Sequence, residues 1–410
     1  MKERRMSWTI SLTAVVLICC LLFGACGSKI RYKKYEYAYD IPDNVPKSYS
    51  ILDDGFTADV ENQVAGTCWA SAATTVMENS YRKYGGRSVE MDALALACMV
   101  YNPHAPEGYS IGNRNDIYDF GGSSEMVVNT TSNGFGSYVL VDSCDLTNRS
   151  DKDIKRAIMA FGGVTCALSD VPANYTEAGG TYTMIGSDSD DMSHAGVIIG
   201  WDDDFPKENF ARTASQDGAW LVQNSYSAAW GDGGFYWVSY DTPLSDLHTL
   251  VMSIQYTNIA SFESGYSANL TYGEETTVAN VFQRSGRLLA VGTYTTRPNQ
   301  HIKVTVYDKT FSEVLDSYEV TFEFEGYHTI ELDNPLVVDG VAVAVTYAGE
   351  APMEGESWID NGIYFNASIS EGQSFVLSNG QWLDLSEEDT LEQIGLEESS
   401  NNCCIKALYA

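Results

Sequence analysis

A cysteine, a histidine and an asparagine carry the sharpest chemical signal in the 410 residues. Cys68 lies in Asn62-Gln63-Val64-Ala65-Gly66-Thr67-Cys68-Trp69-Ala70-Ser71-Ala72, after which Ala72, Ala73, Val76 and Met77 continue an apolar period begun at Trp69. Apolar residues three and four apart predict a helix that starts at Cys68 and stops near Gly85-Gly86. A cysteine at a helix N-terminus sits beside unpaired amide N–H groups, whose partial positive charge favours thiolate over thiol. The thiolate is the nucleophilic form, which makes Cys68 the candidate nucleophile. The competing fate of any cysteine is burial as an inert thiol.

A thiolate–imidazolium pair needs a histidine, and there are five: His104, His194, His248, His301 and His328. His194 opens His194-Ala195-Gly196-Val197-Ile198-Ile199-Gly200-Trp201, an apolar strand pattern that would fix the direction of its ring. His301 and His328 fall in the strand-rich C-terminal region and are expected at the surface. His104 sits in a Pro-flanked loop and His248 in a polar segment. Asn224 ends a second apolar run, Ala219 to Gln223, where a neutral amide can accept the imidazole N–H and orient it without adding charge.

Three motifs in this order, Gln–turn–Cys-Trp-Ala at 63–70, His-Ala-Gly running to Gly-Trp at 194–201, and Asn-Ser-aromatic followed by Trp-Gly at 224–231, resemble the papain family of cysteine peptidases. The resemblance implies an α+β fold with a cleft between a helical half and a β half, and hydrolysis of a peptide or protein substrate without cofactor or metal. It implies that Cys68 attacks the scissile carbonyl, that His194 completes the ion pair and protonates the leaving amine, and that Asn224 orients His194. Trp230 would shield that hydrogen bond, and Gln63 would form the oxyanion hole with the Cys68 N–H. Gly121 and Gly122, within Phe120-Gly121-Gly122-Ser123, resemble the stretch that binds substrate backbone.

The departures from the family pattern are specific. The step from Gln63 to Cys68 is one residue shorter than usual, and the cysteine that commonly precedes the nucleophile is replaced by Ala65, Gly66 and Thr67. Tyr226 stands where Trp is usual, and the stretch between Cys26 and residue 45 is too short for the family's long inhibitory propeptide.

The rest of the chain must carry and place this constellation. Its formal charge of −32, from 24 Lys+Arg against 56 Asp+Glu, excludes a nucleic-acid binder, which needs clustered cations. A hydrophobic fraction of 44% excludes disorder. Lys2, Arg4 and Arg5 precede the apolar run Trp8–Phe23, and Gly24-Ala25-Cys26 follows, resembling a bacterial lipobox. Residues 1–25 are therefore read as a lipoprotein signal peptide and Cys26 as the lipidated residue, anchoring the protein on the outer face of the bacterial cell membrane; an ordinary signal peptide and an uncleaved anchor are the alternatives. Residues 26–44, with Lys29, Arg31, Lys33 and Lys34 among tyrosines, are read as a tether, either drawn to anionic head groups or simply solvated.

The peptidase-like region is placed at 45–257. From 258 to 410 the texture changes to alternating, turn-punctuated segments such as Leu289–Thr295, His301–Tyr307, Tyr318–Phe324 and Val341–Tyr347, with a single helical stretch at Glu387–Ile394. An all-β sandwich is expected there. It resembles the lectin-like domain that follows papain-like domains in bacterial relatives, which implies a structural role or a contact with surface protein or carbohydrate.

Beyond the signal region, Cys26 and Cys68, five cysteines remain, an odd number that argues for largely reduced thiols, with Cys98 and Cys166 expected to be buried. Two acidic loops, Asp188/Asp190/Asp191 and Asp202–Asp204, flank the His194 strand. They read as solvated loops or a calcium site, and as carboxylates near enough to raise the His194 pKa. A peptidoglycan amidase or endopeptidase is the rival enzyme class, although its Cys–His gap is much shorter. A non-catalytic adhesin on the same scaffold is the rival binding module, supported by the shortened Gln63–Cys68 loop.

Overall fold

The structure is a computed structural model that describes residues 30–102, 107–111, 117–359, 362–395 and 400–410. Helix α1 (Cys68–Gly85) begins where the apolar period begins, and Gly86 ends it at a φ of 69°, a left-handed turn that a side chain would resist. It is buried almost all round from Trp69 to Tyr81, so it is the central helix of its half rather than a surface helix. Around it stand α2 (Ala93–Val100), capped by the Asp92 side chain, and α3 (Ser124–Thr131), capped by the Ser123 hydroxyl. The fourth helix, α4 (Asp151–Phe161), is capped by Ser150 and ends at left-handed Gly162.

Strand β1 (Val139–Asp145) leads out of the helical half, and the chain then builds an antiparallel sheet around a buried central strand. In that sheet β2 (Val164–Leu168) and β4 (Ala219–Gln223) flank β3 (His194–Asp202), and β5 (Phe235–Ser239) follows β4. All but the last residue of β3 are buried, as its unbroken apolar run requires of a strand covered on both faces. The register sets Leu168 opposite His194, so the site histidine is the first residue of the central strand.

In the C-terminal region, β6 (Glu275–Thr295), β7 (Gln300–Asp308), β8 (Val314–Phe322) and β9 (Glu325–Ala348) form one antiparallel sheet in the order β8-β7-β9-β6, with β10 (Ile405–Tyr409) also on β6. A smaller three-stranded sheet brings Leu270, Ala351, Met353 and Cys403 into the same core as Val278, Phe282 and Tyr409. The expected helix appears as α5 (Glu388–Ile394).

Four sequence expectations change here. The boundary near residue 258 is a change of texture but not of hydrogen bonding: β9 continues onto β1, pairing Glu325 with Asp145 and His328 with Asp142. The described part of 26–44 is not a free tether. Lys33 pairs in parallel with Tyr318, Tyr37 is inserted with its hydroxyl 2.6 Å from Asp142, and Tyr39 packs on Tyr84 and Phe161. This segment straps the junction between the two regions. His328, expected at the surface, is buried at that junction on Asp142 because β1 of the helical half covers its strand. The six cysteines among the described residues are free; Cys166 is buried as expected, whereas Cys98 is exposed. Residues 1–25 and Cys26 lie outside the described residues, and within those no helix is long and apolar enough to cross a membrane.

Candidate active site

The loop ahead of Cys68 closes through local backbone chemistry. Ala65 takes a φ of 54°, costing roughly 1–2 kcal/mol for a non-glycine residue, and this is how the shortened loop turns. Gly66 lies against the backbone of Tyr118 and Asp119, where a Cβ would stand 3.2 Å from Asp119 Cα. Thr67 is fully buried and its hydroxyl donates to the Val64 carbonyl at 2.7 Å. Cys68 follows as the first residue of α1, half-buried.

Gln63 is held at three points. Its backbone N–H donates to the Ser225 carbonyl at 2.8 Å, its Oε1 accepts the Ser225 hydroxyl at 2.6 Å, and its Nε2 donates to the Ala65 carbonyl at 2.9 Å. A primary amide has two N–H donors, so one remains for a ligand in the cleft.

His194 is buried, and its Nε2 lies 2.8 Å from Asn224 Oδ1. The Ser225 N–H also donates to that oxygen at 2.7 Å, which fixes which end of the Asn224 amide faces the ring. An amide oxygen only accepts, so the proton sits on Nε2 and Nδ1 is the nitrogen left for chemistry. The Cys68 thiol reaches the backbone of Ala195, the residue after His194, so sulfur and imidazole open into one cleft.

Tyr226, rather than Trp230, covers the imidazole. Its ring stacks on His194 with centroids 4.7 Å apart, and Trp230 stands behind it, edge-on at 5.7 Å, among Tyr175, Tyr182 and Tyr236. The reason is local: the Asn62–Tyr226 bridge turns the Tyr226 side chain over His194, and Trp230 falls in the following turn, its N–H donating to Ser227.

Gly122 packs against Trp69, the residue after Cys68, with Gly121 beside it. A Cβ on Gly122 would stand 2.5 Å from the Trp69 indole, and Gly121 has a φ of 82° with its carbonyl accepting the Tyr101 hydroxyl at 2.9 Å.

A residue absent from the motif reading joins the site. Asp170 follows β2 and accepts the Tyr226 hydroxyl at 2.7 Å and the Tyr175 hydroxyl at 2.8 Å. Its signal in the sequence is indirect: a residue just past a strand whose last position pairs with His194 must fall beside that histidine. The two acidic loops do not supply this carboxylate. Asp203 accepts from Lys155 and Tyr240, Asp204 is paired with Lys47, and Asp190 accepts from Asn174.

Residues 45–254 match the papain family cysteine protease, and residues 261–409 match the lectin like domain. The chain belongs to the papain family of cysteine proteases. Oryzain gamma chain of Oryza sativa subsp. japonica is 23% identical over 209 residues, covering 47% of this chain and 54% of that protein. Ananain of Ananas comosus is 26% identical over 217 residues, covering 49% and 58%. The chain thus spans a little over half the length of these curated relatives. The solved cysteine protease and lectin-like domains of Cwp84, a surface layer associated protein of Clostridium difficile, share the fold with a TM-score of 0.74 at 18% identity, over 97% of this chain and 96% of that one. The architecture is therefore a papain-like α+β domain followed by an all-β lectin-like domain.

In this papain-family cleft the two reactive groups are pulled in opposite directions by burial. Desolvation pushes the Cys68 thiol up, against N–H groups of Ala195, Trp69 and Cys68 itself that pull it down. The expectation of a thiol lowered by its helix end is overturned, because burial outweighs the N–H groups and the net direction is up. Desolvation pushes His194 down, against Asn224 and Asp170, which raise it. Each group alone is favoured neutral. Transfer of one proton from sulfur to imidazole would place opposite charges in one cleft, where their attraction opposes the desolvation that each would suffer singly.

Proposed function

We propose that the protein is a cysteine peptidase that cleaves peptide bonds through an acyl-enzyme on Cys68. The observation that carries the reading is the buried His194–Asn224 pair, 2.8 Å apart, opening beside a cysteine at the first position of the central helix. The Cys68 thiolate adds to the scissile carbonyl carbon, and the carbonyl oxygen gains the negative charge. The Cys68 backbone N–H and the free Gln63 Nε2 hydrogen stabilise that oxyanion. The tetrahedral adduct collapses as the C–N bond breaks, and His194 Nδ1 gives its proton to the leaving amine. Water, deprotonated by the now neutral His194, then adds to the thioester carbonyl, the C–S bond breaks, and the Cys68 thiolate and His194 imidazolium are regenerated.

Gly121 and Gly122 are assigned to backbone binding of the substrate, since a side chain at Gly122 would collide with Trp69. Trp230 supports the site through Tyr226. The basic and apolar N-terminus ending in Cys26 supports a lipid-anchored protein at the outer face of the cell membrane, and the surface-layer association of Cwp84 agrees with an extracellular setting. In the reading adopted here residues 45–257 are the peptidase unit, and 258–410 is a buttress joined through β9 and the strap, with a face for surface protein or carbohydrate.

An epoxide inhibitor of thiol proteases tests the chemistry. One adduct per chain on Cys68, with casein hydrolysis lost in Cys68→Ala, is expected. Hydrolysis of muropeptides but not casein replaces this reading with a wall-directed amidase or endopeptidase, and an unreactive Cys68 replaces it with an adhesin.

A further inference from the structure

The Nδ1 side of His194 has a neighbour that the peptidase mechanism above does not use. The Tyr226 oxygen lies 3.3 Å from Nδ1 and 2.7 Å from Asp170 Oδ2. Tyr226 has a single hydroxyl hydrogen, and the shorter, charge-assisted bond to the carboxylate takes it. The phenol therefore shows a lone pair to Nδ1. When Nδ1 is unprotonated, two lone pairs face each other; when it is protonated, the contact becomes an N–H···O hydrogen bond.

We propose that Tyr226 and Asp170 are positioning residues that hold the His194 imidazolium and thereby set the highest pH at which the Cys68–His194 ion pair persists. The proposal rests on the peptidase reading and deepens it. The titratable groups that act on His194 are Asp170, from the loop after β2, and Tyr226, from the segment after β4; Cys68 of α1 reaches the backbone of the next residue, Ala195, and Tyr175 reaches Asp170 rather than the imidazole. Asp170 is the carboxylate among them; its charge raises His194 and also raises Cys68. Tyr175 occupies its other oxygen and keeps Oδ2 aimed at Tyr226.

The two variants therefore have different signatures. In Tyr226→Phe the stacked ring stays and only the acceptor is lost. The imidazolium is present both before and after Cys68 loses its proton, so the acid limb of the pH profile stays in place. The basic limb, where the imidazolium deprotonates, moves down by about one pH unit, the size expected for losing one hydrogen bond to a charged group. In Asp170→Asn a negative charge leaves the neighbourhood of both groups. The thiolate becomes easier and the imidazolium harder to form, so both limbs move down.

The experiment follows iodoacetamide alkylation of Cys68 against pH in the full chain, read by peptide mass spectrometry so that exposed Cys98 does not interfere, together with the pH profile of kcat/KM. Tyr226→Trp, which keeps an aromatic wall without the oxygen, must behave as Tyr226→Phe does and replaces it if the latter fails to fold. An unmoved basic limb in both, with a wild-type Cys68 that alkylates rapidly at neutral pH, overturns this inference alone. A wild-type Cys68 with no such rapid alkylation, indifferent to His194→Ala, overturns the peptidase reading and this inference together.

Discussion

The molecule holds two constellations of the same residue types, one in the cleft and one at the junction of its two regions. In the cleft stand Cys68, His194, Asp170 and Tyr226; at the junction stand Cys144, His328, Asp142 and Tyr37. At the junction every group is satisfied. His328 Nδ1 lies 3.2 Å from Asp142 and its Nε2 reaches Thr295 and Phe324, while its ring stacks flat on Phe322 at 3.8 Å. Tyr37 takes the other Asp142 oxygen, and Cys144 is fully buried with its thiol pushed well up by desolvation and by Asp142. In the cleft the imidazole touches a neutral amide, the carboxylate acts at one remove, and the sulfur is half-exposed at a helix start. Composition does not separate the two sets. What separates them is an imidazole nitrogen that faces only a phenol oxygen, a carboxylate held back by that phenol, and a half-exposed sulfur.

Exchanging the roles of the two cysteines gives the largest expected difference. Cys68→Ala removes the nucleophile, and kcat/KM on a peptide substrate falls on the order of 10⁴-fold or more. Cys144→Ala leaves kcat/KM within about a factor of two and lowers the melting temperature, because it deletes packing in a closed core. Equal loss of activity in the two would erase the distinction drawn above.

The histidines sharpen it. His328→Ala strips Asp142 of a buried partner and removes the stack on Phe322, so a loss of about 3–5 kcal/mol is expected in urea unfolding, with residual activity per folded molecule unchanged. His194→Ala shows the reverse, with activity lost and stability nearly kept, since His194 hydrogen-bonds a neutral amide.

The same contrast explains what the chain made legible. The start of α1 at Cys68, its end at Gly86, the strand that His194 opens and the strand that ends just before Asn224 are written locally, in apolar period, glycine and run length. Cys68 and His194 each open such an element, and Asn224 directly follows one. Asp170 has no such local signal, because its place beside His194 comes from the register of two strands, Leu168 opposite His194. The strap at 30–44 has no period of its own; its tyrosines are half-buried by partners some hundred to three hundred positions away, such as Asp142 for Tyr37 and Thr329 for Tyr35. His328 reads as a surface histidine until β1 is known to pair with β9. Trp230, expected to shield the His194–Asn224 bond, stands behind Tyr226, which stacks on the imidazole itself.

Within the cleft, Gln63 tests whether the shortened loop still works. Its Nε2 spends one hydrogen on Ala65 and its Oε1 is held by Ser225, so the remaining donor is fixed in direction. Gln63→Ala is expected to lower kcat by about 10²–10³ with little change in KM, the pattern of a contact made only to the oxyanion. A drop confined to KM would mean that this side chain binds substrate and that the shortened loop has moved the oxyanion elsewhere.

The smallest effect is expected at the strap, and it isolates the junction from the cleft. Tyr37→Phe deletes one hydroxyl 2.6 Å from Asp142 and keeps the ring packed edge-on against Phe322 and Tyr39. A hydrogen bond to a buried carboxylate contributes about 1.5–3 kcal/mol. Asp142 retains His328, so the lower end applies. Hydrogen exchange at residues 30–44 accelerates roughly tenfold at about 1.4 kcal/mol, while kcat/KM and the alkylation profile of Cys68 stay at wild-type values. If instead the Cys68 profile shifts with the strap, the two constellations are coupled across the junction, and the strap acts on the site rather than only holding the two regions together.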